Sequence, residues 1–409
     1  MHRAIILILA FVAVFLLTGA DWTQFRGADT SGVSSDRNVP TSIGENLAWT
    51  ADLPGRGLSG PIVVGGRVFL TASSGYQQDR LHILCFDTST GKKLWERQFW
   101  ATGRTLCHPK MCNATPTPAS DGKRIFAFFS SNDVVCLDLD GNLLWVRGMT
   151  HDYPNASNSL GMASSPVVAG DTLIVPVENL SESFTAGLDP ATGMNRWKLD
   201  RPQLDNWTSP VVLPGQTRED DLVVLQSGKG LTAVRPYTGY EVWRFDEPAN
   251  TTPSSASSAG VLYVPSKGLT ALEPAADGQA PRVLWQSNKL APATSSPLVE
   301  EGRVYNINGA GVLACADAKS GQIAWQLRLQ VQLGEKTSRG VFTSTPIAAA
   351  GHLYIFNEDG VALVVKGGAA GEIVASHEFG ETILCTPAIA DGALYVRSDK
   401  HLWKVGRHE

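Results

Sequence analysis

The stretch TLCHPKMCN, residues 105–113, holds residue types that bind metals or form disulfides. Cys107 and Cys112 are separated by four residues, and His108 lies between them. Thiolate and imidazole are zinc ligands, so a metal site is one interpretation, although this spacing is unspecific. A disulfide between Cys107 and Cys112 that closes a small loop is the favoured prediction, and two free thiols remain a third interpretation.

Other arrangements that carry common chemistry are missing from the sequence. There is no G-x-S-x-G, H-E-x-x-H or phosphate-binding loop, and no C-x-x-C-H for haem attachment. The remaining cysteines occupy places that small residues fill in other repeats, and we predict them to be buried packing thiols. They are Cys85, Cys136, Cys315 and Cys385.

The first twenty residues predict the compartment. A basic start, an apolar run from Ala4 to Leu17 and small residues up to Ala20 are typical of a secretory signal peptide. We predict cleavage after Ala20 and a periplasmic or secreted protein, with an uncleaved membrane anchor as the alternative. Asp21 stands where a lipoprotein would need cysteine, so no lipid anchor is expected. The net charge of −5, with scattered Lys and Arg, argues against a nucleic-acid partner.

An internal repeat organises the rest of the chain. A small residue followed by proline recurs at eight regularly spaced places, from Gly60-Pro61 to Thr386-Pro387, at intervals of 41 to 57 residues. Each proline is followed by short apolar runs separated by turn residues, which indicate four strands per unit. This period and strand count predict an all-β chain folded as an eight-bladed β-propeller with four-stranded blades.

The two ends of the chain are predicted to share the last blade. The strand 47–53 precedes the first repeat, while the last repeat has three strands, so the N-terminal strand should complete that blade. We therefore divide the chain into a signal peptide, 1–20, and one propeller domain, 21–409. The predicted blades span 59–99, 114–149, 163–200, 207–246, 251–288, 294–329, 343–379 and 385–409.

A tryptophan corner recurs in most repeats. Asp87, Asp189 and Asp317 are each followed by Gly after three residues and by Trp after three more. Asp accepts turn amides, Gly supplies the unusual backbone angle, and Trp buries a large flat surface, so we interpret the corner as structural. The tryptophans predicted to dock between blades are Trp49, Trp95, Trp145, Trp197, Trp243, Trp285 and Trp325.

This corner resembles the tryptophan-docking motif A-x-D-x-x-x-G-K-x-x-W of the pyrroloquinoline-quinone (PQQ) type propeller repeat. Residues 85–95 match it with Cys85 in place of Ala, and residues 187–197 and 315–325 match with small changes. The resemblance extends over nearly all of the chain after residue 20. It implies the fold, but the family contains both quinoprotein dehydrogenases and non-catalytic BamB-like members.

The resemblance to the dehydrogenases implies a PQQ cofactor with Ca²⁺. Trp207 beside Asp205 and Asn206 could supply an aromatic floor and polar ligands, although packing of Trp207 at the mouth of an inner strand is the favoured interpretation. No adjacent cysteine pair exists, and the chain is short for such an enzyme. We therefore predict that the protein binds no cofactor and has no catalytic or metal-binding residue.

A partner is expected on the face where the inter-blade links emerge. The long links 100–113, 149–162 and 328–342 all lie on one face of a propeller, and loops on rigid scaffolds often carry function. Their mixture of cations, aromatics and amides suits a protein or polymer partner, and the chain is expected to be monomeric. The predicted partner-binding residues are Arg104, His108, Lys110, His151, Asp152, Tyr153, Asn155, Asn158, Lys336 and Arg339.

These observations predict an exported, non-catalytic propeller that acts as a binding scaffold with BamB-like architecture. The alternative is a PQQ- and calcium-dependent oxidoreductase acting on alcohols or sugars.

Overall fold

The structure is a computed structural model that describes residues 21–157, 160–217, 220–276, 278–333, 336–338 and 340–407. In the two strands between residues 331 and 338 it describes the backbone alone. The predicted signal peptide, residues 1–20, lies outside the described residues, as do Asn158 and Arg339. No helix among the described residues is long and apolar enough to cross a membrane.

Most of the described strands form eight four-stranded antiparallel sheets, each the blade of a ring. Two early strands join the last two blades: β1 (Val33–Ser34) and β2 (Leu47–Asp52). Blade 1 contains β3 (Ile62–Val64), β4 (Arg67–Ser74), β5 (Arg80–Asp87) and β6 (Lys93–Trp100). Blade 2 contains β7 (Ala119–Ser120), β8 (Arg124–Phe128), β9 (Asp133–Asp138) and β10 (Leu143–Gly148), followed by the short helix α1 (Met149–Asp152). Blade 3 contains β11 (Val167–Ala169), β12 (Thr172–Val177), β13 (Phe184–Leu188) and β14 (Asn195–Asp200).

The next three blades continue in the same order. Blade 4 contains β15 (Val211–Leu213), β16 (Leu222–Ser227), β17 (Gly230–Val234) and β18 (Glu241–Phe245). Blade 5 contains β19 (Ala256–Ser258), β20 (Val261–Val264), β21 (Leu269–Glu273) and β22 (Arg282–Ser287). Blade 6 contains β23 (Leu298–Glu300), β24 (Arg303–Ile307), β25 (Val312–Asp317) and β26 (Ile323–Arg328).

A hairpin separates blade 6 from the last two blades. It consists of β27 (Val331–Leu333) and β28 (Lys336–Ser338). Blade 7 contains β29 (Ile347–Ala349), β30 (His352–Phe356), β31 (Val361–Lys366) and β32 (Glu372–Glu378), with β1 added in parallel beside β29. Blade 8 contains β33 (Ala388–Ala390), β34 (Ala393–Arg397) and β35 (His401–Val405), with β2 as its outer strand.

The ring closes between the two ends of the chain. Strand β2 pairs antiparallel with β35, and Thr50 lies opposite Trp403. The outer strand of blade 8 therefore comes from the N-terminal region, while its inner three strands come from the C-terminus. The predicted fold class, an eight-bladed propeller closed by the N-terminal strand, is confirmed.

Burial follows the position of each strand in its blade. The inner and middle strands are almost entirely buried, as in β12 and β16, whereas the outer strands alternate between exposed and half-buried side chains. The core therefore lies between neighbouring blades rather than in one central cluster, because each blade buries both of its faces.

Tryptophans of the outer strands form a belt around the ring, which we call the tryptophan belt. Six of them donate a hydrogen bond from Nε1 to a carbonyl oxygen in the corner of the next blade. The pairs are Trp49–Thr88 at 2.9 Å, Trp95–Leu139 at 3.0 Å, Trp145–Pro190 at 3.0 Å, Trp197–Pro236 at 2.8 Å, Trp285–Ala318 at 3.0 Å and Trp325–Gly368 at 2.9 Å. Each indole thus ties one blade to its neighbour.

The corners themselves show why Asp and Gly recur. Asp87 Oδ1 accepts hydrogen bonds from the amides and hydroxyls of Ser89 and Thr90, and these bonds lower the pKa of its carboxyl group despite some desolvation. Gly91 adopts φ +70°, and a Cβ there would lie 2.6 Å from the indole of Trp49. Glycine is therefore required both by the backbone angle and by the docked ring.

Two blades depart from the belt, and the structure explains both. Trp243 is buried, but its Nε1 has no acceptor among the described residues. The turn between β21 and β22 of blade 5 is longer than the other corners, and its Gly278 amide donates to the Val242 carbonyl beside Trp243 at 2.8 Å. In blade 7, Ala375 takes the place of Trp. Its neighbour, blade 8, has no corner there, since the two chain ends meet where the Gly406 amide donates to the Asn46 carbonyl at 2.8 Å.

Candidate functional site at the channel mouth

Seven hydroxyl groups surround the channel axis where the inner strands begin. Each oxygen accepts a hydrogen bond from the backbone amide of the preceding blade, at 2.9 to 3.2 Å. We call this arrangement the hydroxyl ring. Its members are Thr117, Ser165, Ser209, Ser254, Ser296, Thr345 and Thr386.

Gly60 takes the eighth position of the hydroxyl ring and starts its chain of hydrogen bonds. A Cβ at Gly60 would lie 2.7 Å from the Thr386 carbonyl oxygen and 3.1 Å from Thr117 Oγ1. In blade 5 the ring residue is Ser254, which follows Pro253, whereas the other six hydroxyl residues precede their proline. Each ring position thus lies next to the repeated proline. In blade 5 it is Ser254, after the proline, and not Thr252, before it.

The hydroxyl ring lines a cavity of about 500 Å³ at the mouth of the channel. Its remaining wall is mostly apolar, and Phe25 closes it on the side away from the mouth. The apolar lining residues around the ring are Leu58, Met111, Leu160, Trp207, Val341 and Leu384. Cys385 also faces the cavity, and burial raises the pKa of its thiol to about 11, so the group is neutral at physiological pH.

The cavity is blind because residues 22–36, which we call the N-terminal segment, cross the channel beneath it. This segment bonds to every blade in the ring. Trp22 meets Val63, Thr23 meets Ser120, Gln24 meets Val168, Thr30 meets Val212, Arg26 meets Ser255 and Pro297, Gly32 meets Ala348, and Asp36 meets Gly392. Sequence reasoning missed the segment because it belongs to no repeat.

Arg26 lies within the N-terminal segment with its guanidinium buried against blades 5 and 6. It donates to the carbonyl oxygens of Ser255 at 2.8 Å and Pro297 at 3.0 Å, and no hydrogen bond joins it to a carboxylate of the described chain. Burial lowers the pKa of Arg26 to about 10, with Asp29 acting in the opposite direction, so the side chain stays positively charged at neutral pH.

Two inter-blade links build the rim of the cavity on one side. The His108 amide donates to the Leu160 carbonyl at 2.8 Å, which joins the link after blade 1 to the link after blade 2. Trp207 Nε1 donates to the Gly161 carbonyl at 2.9 Å and extends this rim to blade 4. On the other side, Lys110 Nζ bonds both oxygens of Glu358 at 3.0 and 2.9 Å.

The predicted partner-binding residues divide between the cavity and its surroundings. His108 and Lys110 line the cavity, while Arg104, His151 and Asn155 are exposed on the same two links. Other members of the set are used within the fold: Asp152 accepts from Arg147 Nε at 2.6 Å, and Tyr153 Oη accepts from Asn195 at 2.7 Å. Lys336 lies in strand β28, where the backbone alone is described.

The predicted set of Asp205, Asn206 and Trp207 is split by the structure. Trp207 lines the cavity, but Asn206 is buried beside it and donates to Glu178 Oε2 and to the Gln226 carbonyl, both at 2.8 Å. Glu178 also forms a buried ion pair with Arg201 at 2.8 Å. The amide of Asn206 is therefore occupied by a structural network and does not face the cavity with Trp207.

The cysteines are all free thiols in this structure. Cys107 Sγ lies 3.5 Å from Ser130 Oγ, while Cys112 is fully buried with its sulfur 3.6 Å from Thr115 Oγ1. The predicted disulfide between Cys107 and Cys112 is thus not formed, because the two sulfurs have separate surroundings. Burial raises the pKa of both thiols, so each is neutral in these surroundings.

The cavity lining can be compared with the needs of a calcium-bound PQQ. Calcium takes about six to eight oxygen ligands, several of them carboxylates. Glu358 supplies the carboxylate among the described lining residues, and Lys110 occupies both of its oxygens. Within the described ranges, no group of three or more His, Cys, Asp or Glu is arranged to hold a metal. The residues present do not fit calcium-bound PQQ, and we derive no redox step.

A Ser-His-Glu arrangement lies outside the cavity, at the mouth end of blade 1. Ser74 Oγ is 2.7 Å from His82 Nε2, and His82 Nδ1 is 2.8 Å from Glu96 Oε1. Burial raises the pKa of Glu96, but hydrogen bonds from Lys93, His82 and Gln98 outweigh it and lower that pKa to about 2. A Cβ at Gly55 would lie 2.9 Å from Ser74 Cβ, so the chain crowds this serine and we interpret the arrangement as structural.

Comparison with known protein families and structures agrees with this fold. The family model described as outer membrane protein assembly factor BamB matches residues 41–227, 227–364 and 310–408. The solved structure of BamB from Moraxella catarrhalis superimposes with a TM-score of 0.63 at 15% identity, covering 88% of this chain and 96% of that chain. Comparison with the curated proteins finds no match to this sequence.

Solved alcohol and methanol dehydrogenases share the fold as well. The quinohemoprotein alcohol dehydrogenase from Comamonas testosteroni gives a TM-score of 0.69 at 13% identity, covering 95% of this chain and 81% of that chain. A europium-containing methanol dehydrogenase gives 0.67 at 14% identity, covering 92% and 89%. These likenesses show the fold alone, whereas the family model matches most of the sequence. The chain therefore belongs to the PQQ-like propeller family, whose matching model is described as outer membrane protein assembly factor BamB.

Proposed function

We propose that this protein is an exported scaffold that binds a protein or polymer partner on the face around the channel mouth. The observation that supports this most directly is the rim, where two inter-blade links pack together through His108 and Leu160 beside a blind cavity. Binding rather than catalysis is its function, and it acts as a monomer in the periplasm or outside the cell.

The composition of the rim supports a macromolecular partner. Arg104, His108, His151 and Asn155 are exposed on the packed links, and each can donate or accept hydrogen bonds from a polar surface. The cavity between them adds apolar contact area at the centre of the same face. An apolar centre with a polar rim is the usual anatomy of a protein interface.

The test is a pull-down from an extract of the exported proteins with the tagged wild-type protein and two triple variants. The mouth variant carries Arg104→Ala, His108→Ala and His151→Ala. The matched control carries Lys92→Ala, Lys123→Ala and Lys319→Ala, three exposed cations on turns at the opposite end of the blades. We expect the mouth variant to lose the captured partner and the control to keep it, with unchanged melting temperatures. Equal capture by all three proteins would contradict the site.

The alternative function is a PQQ- and calcium-dependent oxidoreductase. The fold shared with the alcohol and methanol dehydrogenases supports it, since they cover 95% and 92% of this chain. Purified protein mixed with PQQ and Ca²⁺ distinguishes the two functions. A new quinone absorbance with dye reduction on alcohols or sugars would support the enzyme, and no binding at micromolar cofactor would exclude it.

A further inference from the structure

The hydroxyl ring holds more hydrogen-bond donors than the fold uses. A hydroxyl has one proton and two lone pairs, and each ring oxygen spends one lone pair on a backbone amide. Across the described residues, none of the seven hydroxyl protons has a hydrogen-bond acceptor, although every member is at least 93% buried, with exposures of 3% to 7%. Buried donors without acceptors are costly, so a group that accepts hydrogen bonds belongs on this axis.

Arg26 determines which charge a ligand of the hydroxyl ring should carry. Its guanidinium bonds to the carbonyls of Ser255 and Pro297, which directly follow the ring residues Ser254 and Ser296. A positive charge therefore lies one residue below the ring, in a place where water does not screen it well. The second lone pair of each hydroxyl would suit a cation, but Arg26 repels one, so the ring favours an anion.

The walls of the cavity indicate what kind of molecule bears the anionic group. Apart from the ring, most of the described lining surface is apolar, with Phe25 below and Trp207 at the side. The charged residues of the lining, Lys110 and Glu358, bond to each other. The cavity volume of 500 Å³ lies within the range of about 300 to 1,000 Å³ that is typical of ligand pockets and is too small for a folded element. A carboxylate on an apolar stem combines the required charge and shape.

We propose that the cavity captures the C-terminal carboxylate of a partner polypeptide that ends in an apolar residue. This inference rests on the proposed binding function and names the part of the partner that enters. The cavity is blind, so a chain terminus can enter it, whereas an internal loop would have to bring its backbone in and out through one mouth. The terminal carboxylate accepts from the ring hydroxyls, and the last side chain packs against Trp207 and Leu384.

The first experiment compares two peptides on the unaltered protein. We measure the binding of N-acetyl-Gly-Leu-Phe with a free carboxylate and of the same peptide as its C-terminal amide by isothermal titration calorimetry. We expect the free acid to bind at least about tenfold more tightly, because each charge-assisted hydrogen bond is stronger than a neutral one. Equal affinities, or no binding by the acid at millimolar concentration, would overturn the proposal.

A third ligand separates the two sources of a carboxylate. Phenylacetate carries the same charged group on an aromatic stem without a polypeptide. If the peptide acid binds more tightly than phenylacetate, a chain end is supported. If phenylacetate binds as tightly, the site takes a free organic acid and the chain-end proposal is wrong.

Two variants place the binding event in the cavity. Ala163 lines the cavity, and Ala163→Phe reduces the cavity volume while every ring hydroxyl stays in the sequence; we expect it to abolish peptide binding. Ser258→Phe is the matched control, since Ser258 lines a separate cavity at the opposite end of the blades, and it should bind as wild type. Melting temperatures verify that both variants fold. Retained peptide binding in Ala163→Phe would show that the cavity is not the peptide site. If Ala163→Phe loses the peptide but still captures a partner, the rim function holds and the chain-end proposal does not explain it.

Discussion

The hydroxyl ring and the tryptophan belt both recur around the propeller, but they use their polar groups in opposite ways. In the belt, six indoles give their one donor to a carbonyl of the next blade. In the ring, each hydroxyl accepts one bond from its neighbour and keeps its own proton without an acceptor in the described chain. The six docked indoles thus spend their donors within the fold, whereas the ring hydroxyls keep theirs available to another group.

This difference indicates where function can be placed in a repeated architecture. A repeated group whose hydrogen bonds are all satisfied inside the chain specifies the spacing between blades. A repeated group that keeps unused donors can hold the ring together and also contact a ligand on the axis. Substitutions in the tryptophan belt and in the hydroxyl ring test this difference.

The largest effect is expected in the belt. Trp197 is 9% exposed and docks on the corner of blade 4, so Trp197→Ala removes both a large buried surface and a hydrogen bond. We expect a loss of about 3 to 5 kcal/mol in the free energy of unfolding, measured by chemical denaturation. Trp100→Ala is the control, since this outer-strand residue is 63% exposed and should cost less than about 1 kcal/mol. Similar losses at both positions would show that docking does not matter.

A smaller loss is expected in the ring. Thr345 Oγ1 accepts the Ser296 amide at 3.2 Å, and Thr345→Val leaves that buried amide without its partner at nearly constant volume. The expected cost is about 1 to 3 kcal/mol. Thr238→Val is the matched control, because Thr238 Oγ1 also accepts an amide, from Tyr240 at 3.2 Å, but on the exposed surface. No difference between the two variants would mean that the ring adds nothing to stability.

Exchange of tryptophan for phenylalanine isolates the hydrogen bonds of the belt. Trp197 donates at 2.8 Å, whereas Trp243 has no described acceptor, so Trp197→Phe loses a bond that Trp243→Phe does not. We expect the first variant to be less stable than the second by about 1 kcal/mol, in parallel denaturation experiments. The reverse order would contradict the assignment of the docking bonds.

The smallest effect concerns the other end of an inner strand. Glu300 ends β23, and burial, with some contribution from Glu301, raises its pKa to about 7. The folded state then holds the proton more tightly than the unfolded state, so this group lowers stability as the pH rises from the unfolded pKa of about 4.5 through 7. Glu300→Gln should stabilise the protein by roughly 1 kcal/mol at pH 8, after allowance for solvent screening, and leave it unchanged at pH 4. Destabilisation at pH 8 would refute the buried ionisation.

Much of the fold could be predicted because its signals repeat. The spacing of Asp, Gly and Trp and the recurring proline both depend on local chemistry, and one regular blade predicts the next. The strand around Trp49 could be assigned to blade 8 because the last repeat lacked a fourth strand, and it pairs with β35 as predicted.

The candidate site was harder to predict because its parts are either irregular or ambiguous. The N-terminal segment has no periodic pattern, and its bonds to distant blades depend on the closed ring. The ring residues were visible beside the prolines, but a small residue there is also explained by tight packing. Asn206 and Trp207 are adjacent in sequence but face different surroundings, a distinction that only the structure shows.

The bonds between residues 22–36 and all eight blades also bear on how the chain reaches its native state. This segment has partners as far away in sequence as Gly392, a separation of 356 residues from Asp36. Contacts so distant in sequence slow folding, since loop entropy must be lost before they form. The bonds of Gly32 and Asp36 therefore cannot form until the last two blades have been made, and a chain truncated before them cannot complete the native contacts.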